Sequence, residues 1–117
     1  MAIPSGSGSE VLKRVSGVVR NTTTSVLTVG SDKICTILSI ILWNDLVSGM
    51  RIILNNGSSD LEITTFGTDG ATELAANQTF VWNDKFVLQG GDILKIQEAS
   101  DNGNSTYWVS YIEQDWT

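Results

Sequence analysis

The sequence predicts an all-β protein: a single antiparallel β-sandwich or jelly-roll-like domain over residues 10–117, preceded by a flexible N-terminal arm over residues 1–9. Three observations carry this reading. From Val11 onward, apolar residues either alternate with polar ones or gather in short runs, and no stretch sustains the 3.6-residue period of a helix. Clusters of Asn, Asp and Gly separate the runs at near-regular spacing, as in sandwiches and jelly rolls. A chain of 117 residues can bury only ~65% of its unfolded surface, which leaves room for one core.

The elements follow in order. Residues 1–9 are small, rich in Gly and Ser, and hold the only proline, Pro4. Such a segment cannot offset its ordering entropy by burial, so it is expected to order only against a neighbour. Residues 11–19 make a first strand, bent at Gly17, and 25–29 a short second one ending at Gly30. In residues 33–43, Cys35, Ile37, Ile41 and Trp43 share one face while Ile34, Leu38, Ile40 and Leu42 share the other. Both faces are apolar, which predicts a central strand covered on each side, by a second sheet or by another subunit. Residues 50–54 lead into Asn55-Asn56-Gly57, and 61–66 into Gly67-Thr68-Asp69-Gly70, residues that tolerate the positive φ of hairpin turns. Residues 78–82 and 85–88 flank Asn83-Asp84, and 92–98 and 106–114 flank Asp101-Asn102-Gly103-Asn104. Residues 69–77, with "ATELAA" inside, are expected to form a loop or an irregular edge.

Composition narrows the function. Thirteen acidic against seven basic residues leave a net charge of −6, which repels phosphate backbones, so nucleic acid is not an expected partner. No apolar run approaches the roughly 18 residues of a membrane span, and no membrane partner is expected. A charged segment followed by an apolar one is missing at the N-terminus, so synthesis in a cytoplasm is expected. On that expectation the sequons at Asn21, Asn56, Asn77 and Asn104 are compositional accidents.

Reactive groups are few. The chain has no histidine, the commonest general base and metal ligand. Acidic pairs such as Asp60 with Glu62 and Glu113 with Asp115 leave a carboxylate hydrolase formally open, yet a solvated strand face explains them more simply. The expectation is a protein that is not an enzyme, with no catalytic residue, metal or cofactor. Cys35, the single cysteine, sits in an apolar run and is read as a buried, inert thiol. Gly90-Gly91-Asp92 is followed by β-run residues rather than by a helix, so it is a turn and not a phosphate cradle; Asp92 is expected to cap it. Asp101–Asn104 lacks the acceptor spacing of a calcium loop and is read as a hairpin turn. The four tryptophans say more. Trp82 and Trp108 fit core or strand-face positions, while Trp116 can be buried only against the sheet or another chain.

Taken together, "TSVLTVGSDKICTILSIILWND", the polar hairpin "IILNNGSSDLEITTF" and "ANQTFVWNDKFVLQGGDILKIQEASDNGNSTYWVSYIE" resemble small β-sandwich structural proteins of tailed bacteriophages, and "MAIPSGSGSEVLKR" is similar to the starts of phage virion proteins. The resemblance covers residues 25–113 and, separately, the arm. A proline common before the third strand in those proteins is replaced here by Gly30-Ser31-Asp32. Relatives of this kind serve as capsid decoration or cement proteins, head fibres, and tail or baseplate accessories.

The resemblance implies a virion component, made in the bacterial host cytoplasm, whose partners are the major capsid protein or other virion proteins. It also implies a homo-oligomer, with a trimer favoured. A capsid decoration protein is the preferred reading. A tail, fibre or baseplate module binding a host surface or glycan, through Trp82, Asn83, Asp84 or Tyr107, is the alternative. Ile3 and Pro4 of the arm, with Trp43, Trp108 and Trp116, are the candidate interface residues.

Overall fold

A computed structural model describes residues 10–19, 23–44, 50–66, 77–98 and 105–115. The arm with Ile3 and Pro4, the turns at 67–70 and 101–104, most of the 69–77 loop, and Trp116 lie outside the described residues. Nine strands are present among them: β1 Glu10–Val19, β2 Thr24–Thr28, β3 Lys33–Asn44, β4 Met50–Asn55, β5 Asp60–Phe66, β6 Gln78–Trp82, β7 Phe86–Gln89, β8 Ile93–Glu98 and β9 Ser105–Asp115. Every run expected to be a strand is one, with ends moved by a residue or two.

The strands form two antiparallel sheets. Sheet A has the order β1-β9-β3-β6, with β7 also on β3, and sheet B the order β2-β8-β4-β5. β6 and β7 share one edge of β3, β7 pairing with Ile34 to Ile37 and β6 with Ile40 to Asn44. The central position expected for β3 therefore holds, between β9 and the β6/β7 pair.

The core lies between the sheets. Ile37, Ile40 and Leu42 of β3, Met50 and Ile52 of β4, Leu94 and Ile96 of β8, and Val109 of β9 are buried in one cluster. At its far end polar groups replace apolar ones: buried Ser105 donates its hydroxyl to Asn44 Oδ1 at 2.8 Å and its N–H to Glu98 Oε2 at 3.2 Å. This joins both sheets through residues that hydrophobic patterning does not reveal.

One expectation needs correction. Cys35, Ile37, Ile41 and Trp43 do not share a face. A register shift between Ile37 and Ser39 inserts Leu38 as an extra residue, so the alternation changes phase. Cys35, Ile37, Ile40 and Leu42 face the core, and Ile41 and Trp43 face outward. β1, expected to bend at Gly17, keeps an unbroken pairing with β9 from Glu10↔Gln114 to Val19↔Ser105. Gly17 makes room for Tyr107 instead, since a Cβ there would lie 2.7 Å from the tyrosine hydroxyl.

The turns behave as their chemistry requires. Gly57 and Gly91 adopt φ of 95° and 92°. Asp92 accepts the Gln89 N–H through its carboxylate at 2.9 Å, which is the cap expected of it. That turn also docks on the β2–β3 connection, with Gly91 N–H to Val29 O and Val29 N–H to Asp92 O both 3.0 Å. Asn56 Oδ1 accepts the Ser58 and Ser59 amides, each at 3.1 Å, and closes the β4–β5 hairpin.

Candidate interaction face

Strand alternation sorts the side chains of each sheet into an inner and an outer set. On the outer side of sheet A, the pairings align residues in rows that cross the whole sheet. One row runs Leu12, Ile112, Thr36, Val87. A second runs Ser16, Trp108, Ile41, Val81, and a third Val18, Thr106, Trp43, Thr79. Leu12 is 72% exposed, Val87 63% and Trp108 43%. These are large apolar groups held in water by a rigid backbone, not scattered residues at loop tips. Contiguous exposed apolar surface beyond a few hundred Å² marks an interaction site.

Charge on this face is sparse. Of the outward positions on the described strands of sheet A, Glu10 and Arg14 are the ionisable ones. Glu10 accepts the Gln114 amide at 3.0 Å, at the end of the sheet. The Arg14 guanidinium lies over the Trp108 ring, 4.3 Å from its centre, in a cation–π contact.

Sheet B presents the opposite chemistry. Its outer side carries Lys95 paired with Asp60 at 3.0 Å and Arg51 paired with Glu62, with Arg51 also donating to Gln97 at 3.0 Å. The hydrogen bond from Asn55, and then that from Lys95, hold the Asp60 carboxyl below the usual carboxylate range. Such a lattice of opposite charges suits a face that stays in water.

The other acidic pair is engaged as well. Glu113 accepts from Lys13 at 2.8 Å and Asp115 from Lys33, on the core side of sheet A. The hydrogen bond to Glu113 is the main reason the Lys13 ammonium is harder to deprotonate than usual. Asp60, Glu62, Glu113 and Asp115 thus each sit against a cation. Among the described residues no group of three or more potential metal ligands comes together.

Two of the five candidate interface residues, Trp43 and Trp108, lie on the outer face of sheet A, as diagonal neighbours on adjacent strands. Core packing, one of the two placements open to Trp108, is not its role. Trp82 and Tyr107 point inward and pack against the core. Trp82 donates its indole N–H to Asp84 O at 2.8 Å. Both aromatics are half-buried there.

Sequence reasoning missed Leu12, Val18, Val81, Val87 and Ile112. The signal was present, because β1 carries apolar residues at both odd and even positions, as β3 does. Cys35 is buried as expected, and burial pushes its thiol pKa up.

Compared by sequence, the chain matches no protein-family model and no curated protein. Compared by structure, it is similar along its full length to a subunit of the disulfide-linked pili that form Bacillus endospore appendages, with a TM-score of 0.56, 13% identity and 97% of that chain covered. It is also similar along its full length to a chain of the acid-stable capsid of Helicobacter pylori bacteriophage KHP30, with a TM-score of 0.55, 8% identity and 94% of that chain covered. At such identities the likeness is one of fold.

Proposed function

We propose that this chain is a structural protein of a tailed-phage virion, a capsid decoration or cement protein that binds the assembled head and stabilises it. We read the strand order β1-β9-β3-β6/β7 over β2-β8-β4-β5 as a jelly roll, a fold that capsid domains use widely. The observation that carries the proposal is the contrast between the two outer faces: one apolar and nearly uncharged, the other laced with ion pairs. A protein built to stay alone would not hold Leu12, Val87 and Trp108 in water on one rigid face.

The mechanism needs no reacting group. A protein that binds the closed shell and not its loosened form stabilises the shell by its binding free energy, through mass action. Residues 1–9 are our candidate for the capsid-facing element, since their composition favours ordering on contact with a groove or strand edge.

The full-length likeness in fold to a phage capsid chain supports this reading, as does the resemblance of residues 25–113 to phage sandwich proteins. The likeness to a pilus subunit favours it less. A linear polymer linked by disulfides needs at least two cysteines per subunit, whereas this chain has one, and Cys35 is buried. A glycan-binding tail module is supported less too, because Trp82 and Tyr107 are committed to the core side.

The test is location and occupancy. Immunogold labelling or a reconstruction of the particle should find the chain on the head, and a glycan array should show no binding. Deleting residues 1–9 should leave the sandwich folded and lower the occupancy on heads. Full occupancy of the truncated protein would remove the arm from the mechanism, and tail labelling would overturn the decoration role.

A further inference from the structure

We propose that a second copy of this chain covers the outer face of sheet A, an inference that rests on the structural role proposed above and names the occupant of its apolar face. The argument begins with area. Sheet strands lie about 4.8 Å apart and rise about 3.4 Å per residue, so four strands of roughly ten residues present about 600 Å². A stable protein–protein interface takes about 800 Å² from each partner, and this face with its rim is of that order.

The chain's own arm cannot cover it. Nine residues extended at about 3.4 Å each reach some 30 Å along one strand, but a single strand hides one column of a sheet four columns wide. Its apolar content beyond Ala2 is Met1, Ile3 and Pro4, too little for Leu12, Ile112, Val87, Trp108, Ile41 and Val81 together.

Charge then selects the face through which two copies can meet. With a net charge of −6, two molecules repel in most orientations. The ion-paired face of sheet B would have to strip water from Asp60, Glu62, Lys95 and Arg51 on docking, at a cost that new contacts barely return. The outer face of sheet A brings almost no charge to the contact, in keeping with the charge depletion of interface centres. It is also rigid and twisted like any sheet, so a second face of identical shape packs on it as one sheet packs on another, about 10 Å away. Trp108, in cation–π contact with Arg14 on the adjacent strand, is placed as its anchor.

Sedimentation velocity of the full chain, from low to high micromolar concentration, tests this. Wild type should sediment as an oligomer. The double variant Leu12→Glu with Val87→Glu should be monomeric, with association weakened about 100-fold or more because like charges would meet at the contact. Both positions are well exposed, so the carboxylates stay hydrated in the monomer, and circular dichroism should show wild-type folding. Ser25→Glu, exposed on sheet B, should leave the oligomer unchanged. Raising salt should strengthen the wild-type oligomer, because screening weakens the repulsion between acidic copies while the apolar contact persists.

Should the glutamate variants misfold, Ser110→Cys on the outer side of β9 gives a second readout. A short bis-maleimide should then yield covalent oligomers, with Cys35 buried and silent. A wild-type monomer at high micromolar concentration, a folded double variant that keeps wild-type mass, or no cross-link at Ser110→Cys would each overturn the inference. A wild-type monomer that still decorates phage heads would overturn it and leave the virion role standing. An oligomer lost in the double variant, from a protein absent from virions, would uphold it and overturn that role.

Discussion

Gly90→Ala puts the geometry of the Gly-Gly-Asp turn to a direct test. A Cβ on Gly90 would sit 2.6 Å from Ser31 O, 2.9 Å from Gly30 O and 2.9 Å from the Ser31 carbonyl carbon. All three are backbone atoms, so no rotamer change relieves the contact. The turn can retreat only by stretching Gly91 N–H to Val29 O and Val29 N–H to Asp92 O, both 3.0 Å long. Overpacking of this kind costs about 1–3 kcal/mol. Replacing glycine by alanine returns about 0.4–1 kcal/mol by restricting the unfolded chain. Taking the middle of each range, the net loss is about 1.3 kcal/mol, which for a domain of this length lowers Tm by about 5 °C. Thermal unfolding followed by far-UV circular dichroism measures it, with urea midpoints as a check. A Tm within a degree of wild type would refute the docking of the β7–β8 turn on the β2–β3 connection. Inorganic phosphate should leave the wild-type Tm unmoved, because this loop opens a strand and offers no helix N-terminus to an anion.

Two further outcomes follow from the ionisable groups. The Asp60 carboxyl is held below its ordinary range by Asn55 and Lys95. A depressed carboxylate contributes stability that is present above its unfolded pKa and lost as pH falls through its folded one. Asp60→Asn should therefore be less stable than wild type near neutrality and converge with it in strong acid; urea midpoints across that range measure this, and a constant gap would contradict it. Cys35 is buried in the core and its thiol is pushed up by that burial, so Ellman's reagent should label it only at the rate of unfolding, and prompt labelling of folded protein would contradict its placement.

The fold was legible in the sequence where turn chemistry and alternation agreed. Asn55-Asn56-Gly57 announced a hairpin because glycine and asparagine tolerate the backbone that such a turn demands, and Gly57 takes it up with φ of 95°. What alternation cannot show is a change of phase inside a continuous apolar run. Ile37, Leu38, Ile40, Ile41 and Leu42 are interchangeable to a hydrophobicity count, so the extra residue at Leu38 leaves no mark. The buried Asn44, Ser105 and Glu98 were invisible for the converse reason: three polar residues at strand ends read as surface until tertiary structure closes over them. The interface was legible by residue type in Trp43 and Trp108. The aliphatic rows around them were not, since only pairing register shows that Leu12, Ile112 and Val87 lie side by side.

The bulge at Leu38 links the core to the proposed interface. Without it, strict alternation from Cys35 would send Ile41 and Trp43 into the core and turn Ile40 and Leu42 outward. The core between the sheets is filled with Ile, Leu, Val and Met side chains, and an inward tryptophan at position 43 would overfill it or leave its indole N–H without a partner. One inserted residue resolves this by keeping the compact aliphatics inside and delivering Ile41 and Trp43 to the outer face beside Trp108 and Val81. The local irregularity that conceals the strand's facing in the sequence is thus what gives sheet A two apolar sides with different work: one packs against sheet B, and the other is free to meet another molecule.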